Sequence, residues 1–552
     1  MNHKHSTQVL IVGAGPVGLT LAMDLATRGV QVLIAETRFA GEAPSVKCNH
    51  VSARTMEIFR RLGVAQAVRN AGLPEEYPND VSYRTTFVGQ ELSRIPIPAR
   101  KFRYTATGGP DTWWPTPEPP HRINQIFLEP ILFAHAAAMS NIRILNRVRI
   151  DDFSQDETCI RASGTDLEDG STLEFDASYL IGCDGGKSTI RKKIGAKLSG
   201  TDVVGRVQST YLRAPDLIKL QKYDPAWATF SLNPRRSGNV YAIDGKETWL
   251  LHNYLKPSET DFEAVDRDWA IREILGVDSS FQYEILAKED WFARRLVADK
   301  FRDRRAFICG DASHLWVPMA GYGMNAGIAD AMNLSWQLAA VLNGWGHSGI
   351  LRGYEAERLP ITEQVSFFAM NHAYALQAKR ESVPVDLEFN TPEGQAAREQ
   401  AGRELYELNV QQYCCAGLNF GYYYDKSPLI SYDGEGNPAY TMNQFTPSTV
   451  PGCRTPHFWL PRHDGRESIY DVCGHDFTLL RLDPSINVQP ITEAAKSRAV
   501  PLNVIDVPPD VAGPEYTHKL VLSRPDQHVA WRGNVAPSDS SALIDLLRGA
   551  VH

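Results

Sequence analysis

The chain has 552 residues, 43% of them apolar and 10% aromatic, with a formal charge of −8 at neutral pH. That length exceeds one ordinary domain and supports large cores. The mild charge leaves no nucleic-acid footprint and no polybasic membrane patch. The N-terminal residues carry no apolar leader, and no run of about eighteen apolar residues occurs. Neither a secretory signal nor a membrane span is therefore expected, and the chain reads as cytoplasmic. The eight cysteines (Cys48, Cys159, Cys183, Cys309, Cys414, Cys415, Cys453, Cys473) form no C-x-x-C pair, which favours reduced thiols over a disulfide framework. No metal site is expected.

Gln8 to Val12 is a short apolar run that predicts a buried parallel strand. It feeds Gly13-Ala14-Gly15-Pro16-Val17-Gly18, a full G-x-G-x-x-G, then a helix over Pro16 to Thr27 stopped by Gly29. A second strand, Gln31 to Ala35, ends at Glu36, close to the spacing at which an acid meets an adenosine ribose. Glycines permit a pyrophosphate to approach the backbone, and the helix start offers free N–H groups. The acid favours a free 2′-hydroxyl, as in FAD or NAD, over NADP.

Val51 to Arg61 reads as a short helix in which Arg54, by spacing alone, is a solvated surface residue. Ala99 to Ile123 is irregular and rich in aromatic residues and proline, either a pocket lining or a packed loop. Gln125 and Glu129 share one face of a helix beginning near Asn124. Asn141 to Arg161 and Ser171 to Leu180 read as hairpin-like strands, followed by Tyr179 to Cys183 and a second glycine turn at Asp184-Gly185-Gly186. Val203 to Leu255 alternates apolar and polar residues in several segments, predicting a mostly antiparallel sheet over a substrate.

Phe307 to Asp330 is the stretch around which the chain is organised. It reads as a strand ending at Asp311, a Pro/Gly-rich loop, and a helix from Met324 to Leu342. Ala312, Ala320, Gly321, Gly323, Ala326 and Gly327 are small where a backbone would approach a flat ligand. His314 reads as structural. Two glycine turns and a strand-end acid in one domain imply a single extended dinucleotide, because no second full G-x-G-x-x-G occurs.

Together these motifs resemble the class A FAD-dependent aromatic hydroxylases, the para-hydroxybenzoate and phenol hydroxylase family. The matching residues are Gly13 to Gly18 with Glu36, Cys183-Asp184-Gly185 with Arg191, and Gly310-Asp311 with Pro318, Gly323, Met324, Asn325 and Asp330. NHVSARTMEIFRRLG and RINQIFLEPIL place the chain nearest the substituted-phenol and polyketide hydroxylases. The resemblance implies a Rossmann-like α/β FAD domain with an inserted antiparallel substrate sheet and a C-terminal thioredoxin-like domain. FAD-domain parts are then expected at 1–80, 123–200 and 291–400, substrate-domain parts at 81–122 and 201–290, a linker at 401–450, and the C-terminal domain at 451–552. It implies FAD contacts from Gly13, Gly15, Pro16, Gly18, Glu36, Arg38, Arg54, Gln125, Asp184, Asp311, Pro318, Gly323, Met324 and Asn325. Arg54 thereby changes from surface residue to cofactor contact, and Asp311 is directed to the ribityl chain.

The implied reaction uses NAD(P)H to reduce FAD and a flavin C4a-hydroperoxide formed with O₂ to hydroxylate a substituted phenol ortho or para to its hydroxyl. His50, His252 and Tyr241 are the candidates for partner of the substrate hydroxyl. The expected partner is a small aromatic substrate, and the expected assembly a homodimer. Without C-x-x-C, the C-terminal domain serves packing or dimerisation rather than thiol redox chemistry. The alternatives are a flavin-dependent halogenase, whose W-x-W-x-I-P signature is not found in Trp113-Trp114-Pro115, and a non-catalytic FAD-binding sensor.

Overall fold

The structure, a computed structural model, describes residues 3–47, 49–318, 321–463 and 465–551. Cys48 and Ala320 lie outside the described residues. The first sheet is built on five parallel strands in the spatial order Ile142–Asn146, Val32–Glu36, His3–Val12, Thr172–Gly182 and Ala306–Ile308. Val9, Leu10 and Ile11 are wholly buried, as an unbroken apolar run in a sheet covered on both faces must be. Thr172–Gly182 also pairs antiparallel with Ile160–Asp166, so the expected hairpin and the expected re-entry strand are one continuous element. Register fixes the site. Val12 and Ile308 both sit opposite Gly182, so the turns after these three strands emerge side by side at the carboxyl edge, where such sheets bind ligands.

The second sheet has eight strands, antiparallel except where Ala228–Ser231 meets Val81–Arg84. Its longest pairing joins Leu198–Arg213 to Glu284–Ala298. That second strand crosses the boundary expected near residue 291. Its Lys288-Glu289-Asp290 stretch breaks any apolar alternation, and only the partner strand reveals it. One sheet face carries Val240, Ala242, Trp249 and Leu251 into a core with Ile271 and Ile274. Strand alternation turns Asn239, Tyr241, His252 and Tyr254 to the other face. Ala369, Ala373 and Leu376 of helix Arg352–Glu381 and Leu405 and Tyr413 of helix Pro392–Tyr413 join the same core cluster.

The stretch read as a linker is packed rather than loose. Helix Pro392–Tyr413 runs into it, and Tyr424, Leu429, Ile430 and Met442 are buried beyond it. Its prolines interrupt regular elements without preventing burial. The C-terminal domain has a four-stranded sheet in the order Leu502–Asp506, Phe477–Arg481, Leu520–Ser523, Val529–Gly533. Its first pair is parallel and the rest antiparallel, the 2-1-3-4 order of a thioredoxin-like fold. Cys473 is buried, and burial pushes its thiol pKa up to about 12. Among the described residues no cysteine is disulfide-bonded, and no helix is long and apolar enough to cross a membrane.

Candidate functional site: a nucleotide cleft beside an aromatic chamber

The first glycine turn divides its labour. Gly13 has φ +106°, and a Cβ there would lie 2.5 Å from the Cys183 carbonyl oxygen. A Cβ on Gly18 would lie 2.1 Å from the Gly13 carbonyl oxygen. Both are glycine because protein packs against them. A Cβ on Gly15 would meet nothing within 4 Å. Gly15 is the N-cap of the helix Pro16–Thr27, which has no side-chain cap and no acid in its first turn. Its positive end therefore faces open space.

Glu36 accepts from the Ala14 N–H at 2.7 Å and the Arg38 N–H at 2.9 Å. Burial would raise its pKa, but Arg38 and the Ala14 N–H hold it below the ordinary carboxylate value. Arg38 also reaches Glu129 at 2.5 Å, and Glu129 accepts from Gln125 at 2.9 Å. Glu36, Arg38, Glu129 and Gln125 thus form one chain along the cleft edge.

At the second turn, Asp184 Oδ2 accepts from the Thr189 N–H at 2.7 Å, while buried Oδ1 has no partner. Arg191 ties this turn to the third by donating to the Gly186 and Ala312 carbonyls at 2.9 and 3.0 Å. Asp311 is exposed to solvent at the carboxyl edge of the sheet, although the protein around it desolvates the carboxylate. Enclosure raises its pKa, and His314 and Lys47 only partly offset that. His314 itself donates from Nε2 to the buried Asp330 carboxylate at 2.7 Å, as a structural residue does.

The helix expected from Met324 begins at Tyr322, with Gly321 at φ +61° as its uncapped N-terminus. Its small residues serve different ends. A Cβ on Gly327 would meet Val17 at 2.7 Å and Gly310 at 2.9 Å, and one on Gly321 would meet His50 at 3.0 Å. Of these three glycines, Gly323 alone opens onto free space. Within that cluster Gly327 is therefore small for helix packing and Gly321 for the His50 loop, while Gly323 keeps an open side. Asn325 pins the neighbouring loop, accepting from the Ser52 N–H at 2.9 Å and donating to the His50 carbonyl at 3.2 Å. Met324 points into the main core, and Pro318 is exposed at the cavity beyond.

Arg54 departs from the cofactor contact implied for it. Its guanidinium is buried against Glu57, Gln527 and the Asp526 carbonyl, at the junction with the C-terminal domain. The resemblance placed the right helix beside the cleft, but this side chain leaves its other face.

Beyond the third turn lies an aromatic chamber. Tyr241 stands 5.4 Å from Trp227 and 5.4 Å from His252, which stands 5.6 Å from Trp291. Asn239 Nδ2 donates to the hydroxyls of Tyr241 and Tyr254 at 3.2 and 3.1 Å, and Arg380 lies 3.6 Å over the Tyr254 ring. A cavity of about 630 Å³ opens between Val207, Tyr254, Trp291, Val317, Pro318 and Arg380. Burial raises the Tyr241 pKa above its ordinary value. Burial, aided by Arg380, pushes His252 down to about 3. His50 is also held neutral, by burial and by Arg122, whose Nη1 contacts its Nδ1. None of the three expected partners of a substrate oxygen is charged. Tyr241 and His252 are neighbours, whereas His50 stands apart from them with Arg122 between.

Sequence reasoning missed Arg122, Asn239 and Arg380, and Lys47 at the cleft mouth, which pairs with Glu289 across it. Arg122 precedes the helix of Gln125 by three residues, yet nothing local separates a buried arginine from a surface one.

Known proteins place this geometry in a class and then a family. The FAD binding domain family matches residues 6–369, and the aromatic-ring hydroxylase C-terminal family matches residues 448–551. The fold and cleft are those of an FAD-dependent flavoprotein. The chain belongs to the class A FAD-dependent monooxygenases, the aromatic-ring hydroxylases. It is similar to the FAD-dependent monooxygenase apdD of Emericella nidulans, 29% identical over 97% of this chain and 88% of that one. It is similar to phenol 2-monooxygenase of Pseudomonas sp., 28% identical over 98% and 92%. The solved structure of the rebeccamycin biosynthetic enzyme RebC with reduced flavin superposes with a TM-score of 0.88, at 32% identity over 100% of both chains. The protein is a flavoprotein monooxygenase that acts on aromatic substrates.

Proposed function

We propose that the chain hydroxylates a substituted phenol, ortho or para to its hydroxyl, with NAD(P)H and O₂. The observation that carries this reading is the cavity lined by Tyr254, Trp291, Val317, Pro318 and Arg380, beside the aromatic cluster of Trp227, Tyr241 and His252. Its cavity of about 630 Å³ lies in the range that encloses a ligand of several rings. Phenol 2-monooxygenase of Pseudomonas sp. is a relative named for the same substrate class.

The residues present fit FAD. Two uncapped helix N-termini and the open sides of Gly15 and Gly323 leave room and positive dipole for it. In this reading Gly13, Gly15, Pro16 and Gly18 hold the pyrophosphate. Glu36, linked to Arg38 and Gln125, takes the adenosine ribose. Asp311 takes the ribityl chain, Pro318 flanks the ring, and the Gly323–Asn325 backbone faces its pyrimidine edge. Asp184 and Arg191 shape the second turn. Bound FAD supplies hydride acceptance from NAD(P)H and activation of dioxygen.

The protein's own part is to orient the ring, exclude water and control one proton. The aromatic walls keep the chamber dry. Tyr241 and Tyr254 both accept from Asn239, so each keeps its own O–H to donate. With a raised pKa, Tyr241 is a hydrogen-bond donor to a substrate oxygen rather than a base. A panel of phenols, screened for stimulated NADPH oxidation with product identification, tests the reading. We expect one hydroxyl added per NADPH consumed for a subset of the panel. A flavin-bearing enzyme that no phenol stimulates would overturn it.

A further inference from the structure

The strands that lead to the second and third turns each end in a cysteine. Ile308 sits opposite Gly182, and the Cys309 N–H donates to the Gly182 carbonyl at 3.0 Å, so the parallel ladder runs on and sets Cys309 beside Cys183. Register partners in a sheet send their side chains to one face. Two contacts identify that face. A Cβ on Gly18 would lie 3.3 Å from the Cys183 Cβ, and the Cys309 thiol donates to the Gly327 carbonyl at 3.6 Å. Both thiols therefore lie under the helices Pro16–Thr27 and Tyr322–Leu342. Burial and the neighbouring Cys183 thiol together push the Cys309 pKa well up. Adjacent parallel strands stand about 4.8 Å apart, inside the Cα separation of about 4.4–6.8 Å that a disulfide spans. The two differ in access: Cys309 is 1% exposed, whereas Cys183 is only half-buried.

We propose that Cys183 and Cys309 are an oxidation site, converted by hydrogen peroxide to a disulfide that distorts the first glycine turn and weakens flavin binding. Hydrogen peroxide is the two-electron product of dioxygen that meets no ring to hydroxylate. Cys183, the accessible thiol, attacks one peroxide oxygen; the O–O bond breaks, water leaves and Cys183 becomes a sulfenic acid. Cys309, shielded from the oxidant, resolves it. Its sulfur attacks that of Cys183, the S–O bond breaks, the S–S bond forms, and the Cys309 proton leaves with the hydroxyl as a second water. The two thiols give up two electrons and two protons, and one peroxide takes them. Bonding draws the Cβ atoms to about 3.8 Å, roughly an ångström inside the strand spacing. Cys183 cannot shift alone. Its carbonyl oxygen lies 2.5 Å from where a Cβ on Gly13 would stand, and its own Cβ 3.3 Å from one on Gly18. The shift therefore passes to the first turn. The effect on flavin rests on the proposed pyrophosphate position there; the bond itself does not.

The test treats the holoenzyme with hydrogen peroxide, blocks the remaining thiols in denaturant and maps the peptides by mass spectrometry without reduction. In the wild type we expect a peptide linking Cys183 to Cys309, severalfold faster release of FAD read by flavin fluorescence, and reversal of both by dithiothreitol. Cys309→Ser should leave Cys183 as a sulfenic acid that dimedone traps, and Cys183→Ser should leave Cys309 a free thiol under the same peroxide. A wild type that keeps both thiols, or links other cysteines instead, overturns the proposal even if the variants do not fold. A Cys183–Cys309 link that leaves FAD release unchanged overturns the coupling to the flavin turn. No phenol enters the experiment, so its outcome is separate from the proposed substrate.

Discussion

At the junction between the C-terminal domain and the nucleotide domain, the buried arginines share carboxylates; beside the aromatic chamber, Arg122 pairs with none among the described residues. Arg524 reaches Glu357 at 2.6 and 2.8 Å and Asp526 at 2.7 Å, with both partners buried. Arg54 and Arg454 share Glu57, and Arg28 and Arg61 share Asp24. The two regions use the same side chain at the same depth. Where partners are complete, the charge fixes how domains dock; Arg122 is held instead by His50 and the rings of Trp227 and Tyr413. The C-terminal domain, lacking any reactive thiol pair, contributes through this docking.

The comparison breaks most visibly at Glu357. Glu357→Ala leaves Arg524 with half its partners and should cost about 3–5 kcal/mol in denaturant unfolding. A loss under about 1 kcal/mol would mean the junction is not held by its charges.

Acid should loosen the same region. Burial would raise Asp24 and Asp526, but Arg28 and Arg61 hold the first and Arg524 the second well below the ordinary value. Folded values below unfolded ones give stability that is full above about pH 4 and lost as pH falls toward the folded values. Thermal unfolding scanned from pH 6 to pH 3 should show a falling midpoint; a flat profile would contradict the pairing.

The cleft offers a sharper contrast at lower magnitude. Gly15→Ala should change stability by no more than about 0.5 kcal/mol, because its Cβ meets no protein atom, and still lower flavin occupancy if the proposed pyrophosphate position is right. Gly18→Ala, which strikes the Gly13 carbonyl, should destabilise the apoprotein by about 1–3 kcal/mol. Asp311→Ala should behave like Gly15→Ala. Absorbance of bound flavin per protein reads all three, and equal effects on folding would erase the distinction. The smallest effect is at Cys473, whose raised pKa and burial should keep it unreactive to thiol reagents in the native protein. Rapid labelling would contradict that.

Much of the nucleotide half was legible because its signals are local. The Pro16–Thr27 helix and the Asn124 start of the Gln125 helix follow from glycine, proline and capping residues that act within a few positions. The meeting of the three turns was legible only through the resemblance, since register opposite Gly182 is a property of strands far apart in sequence. Glu284–Ala298 lacks alternation, so its passage across residue 291 has no local signal. Arg54 and Arg122 show the same limit from opposite sides. What a buried arginine faces depends on residues far along the chain: Arg54 meets Gln527 and the Asp526 carbonyl, and Arg122 the rings of Trp227 and Tyr413.

Turnover of a responsive phenol under isotopically labelled dioxygen, with mass spectrometry of the product, tests the central claim most directly. A monooxygenase of this class should place one labelled oxygen atom in the ring product for each NAD(P)H oxidised. A product that carries oxygen from water, or NAD(P)H oxidation with no labelled product from any phenol, would contradict it.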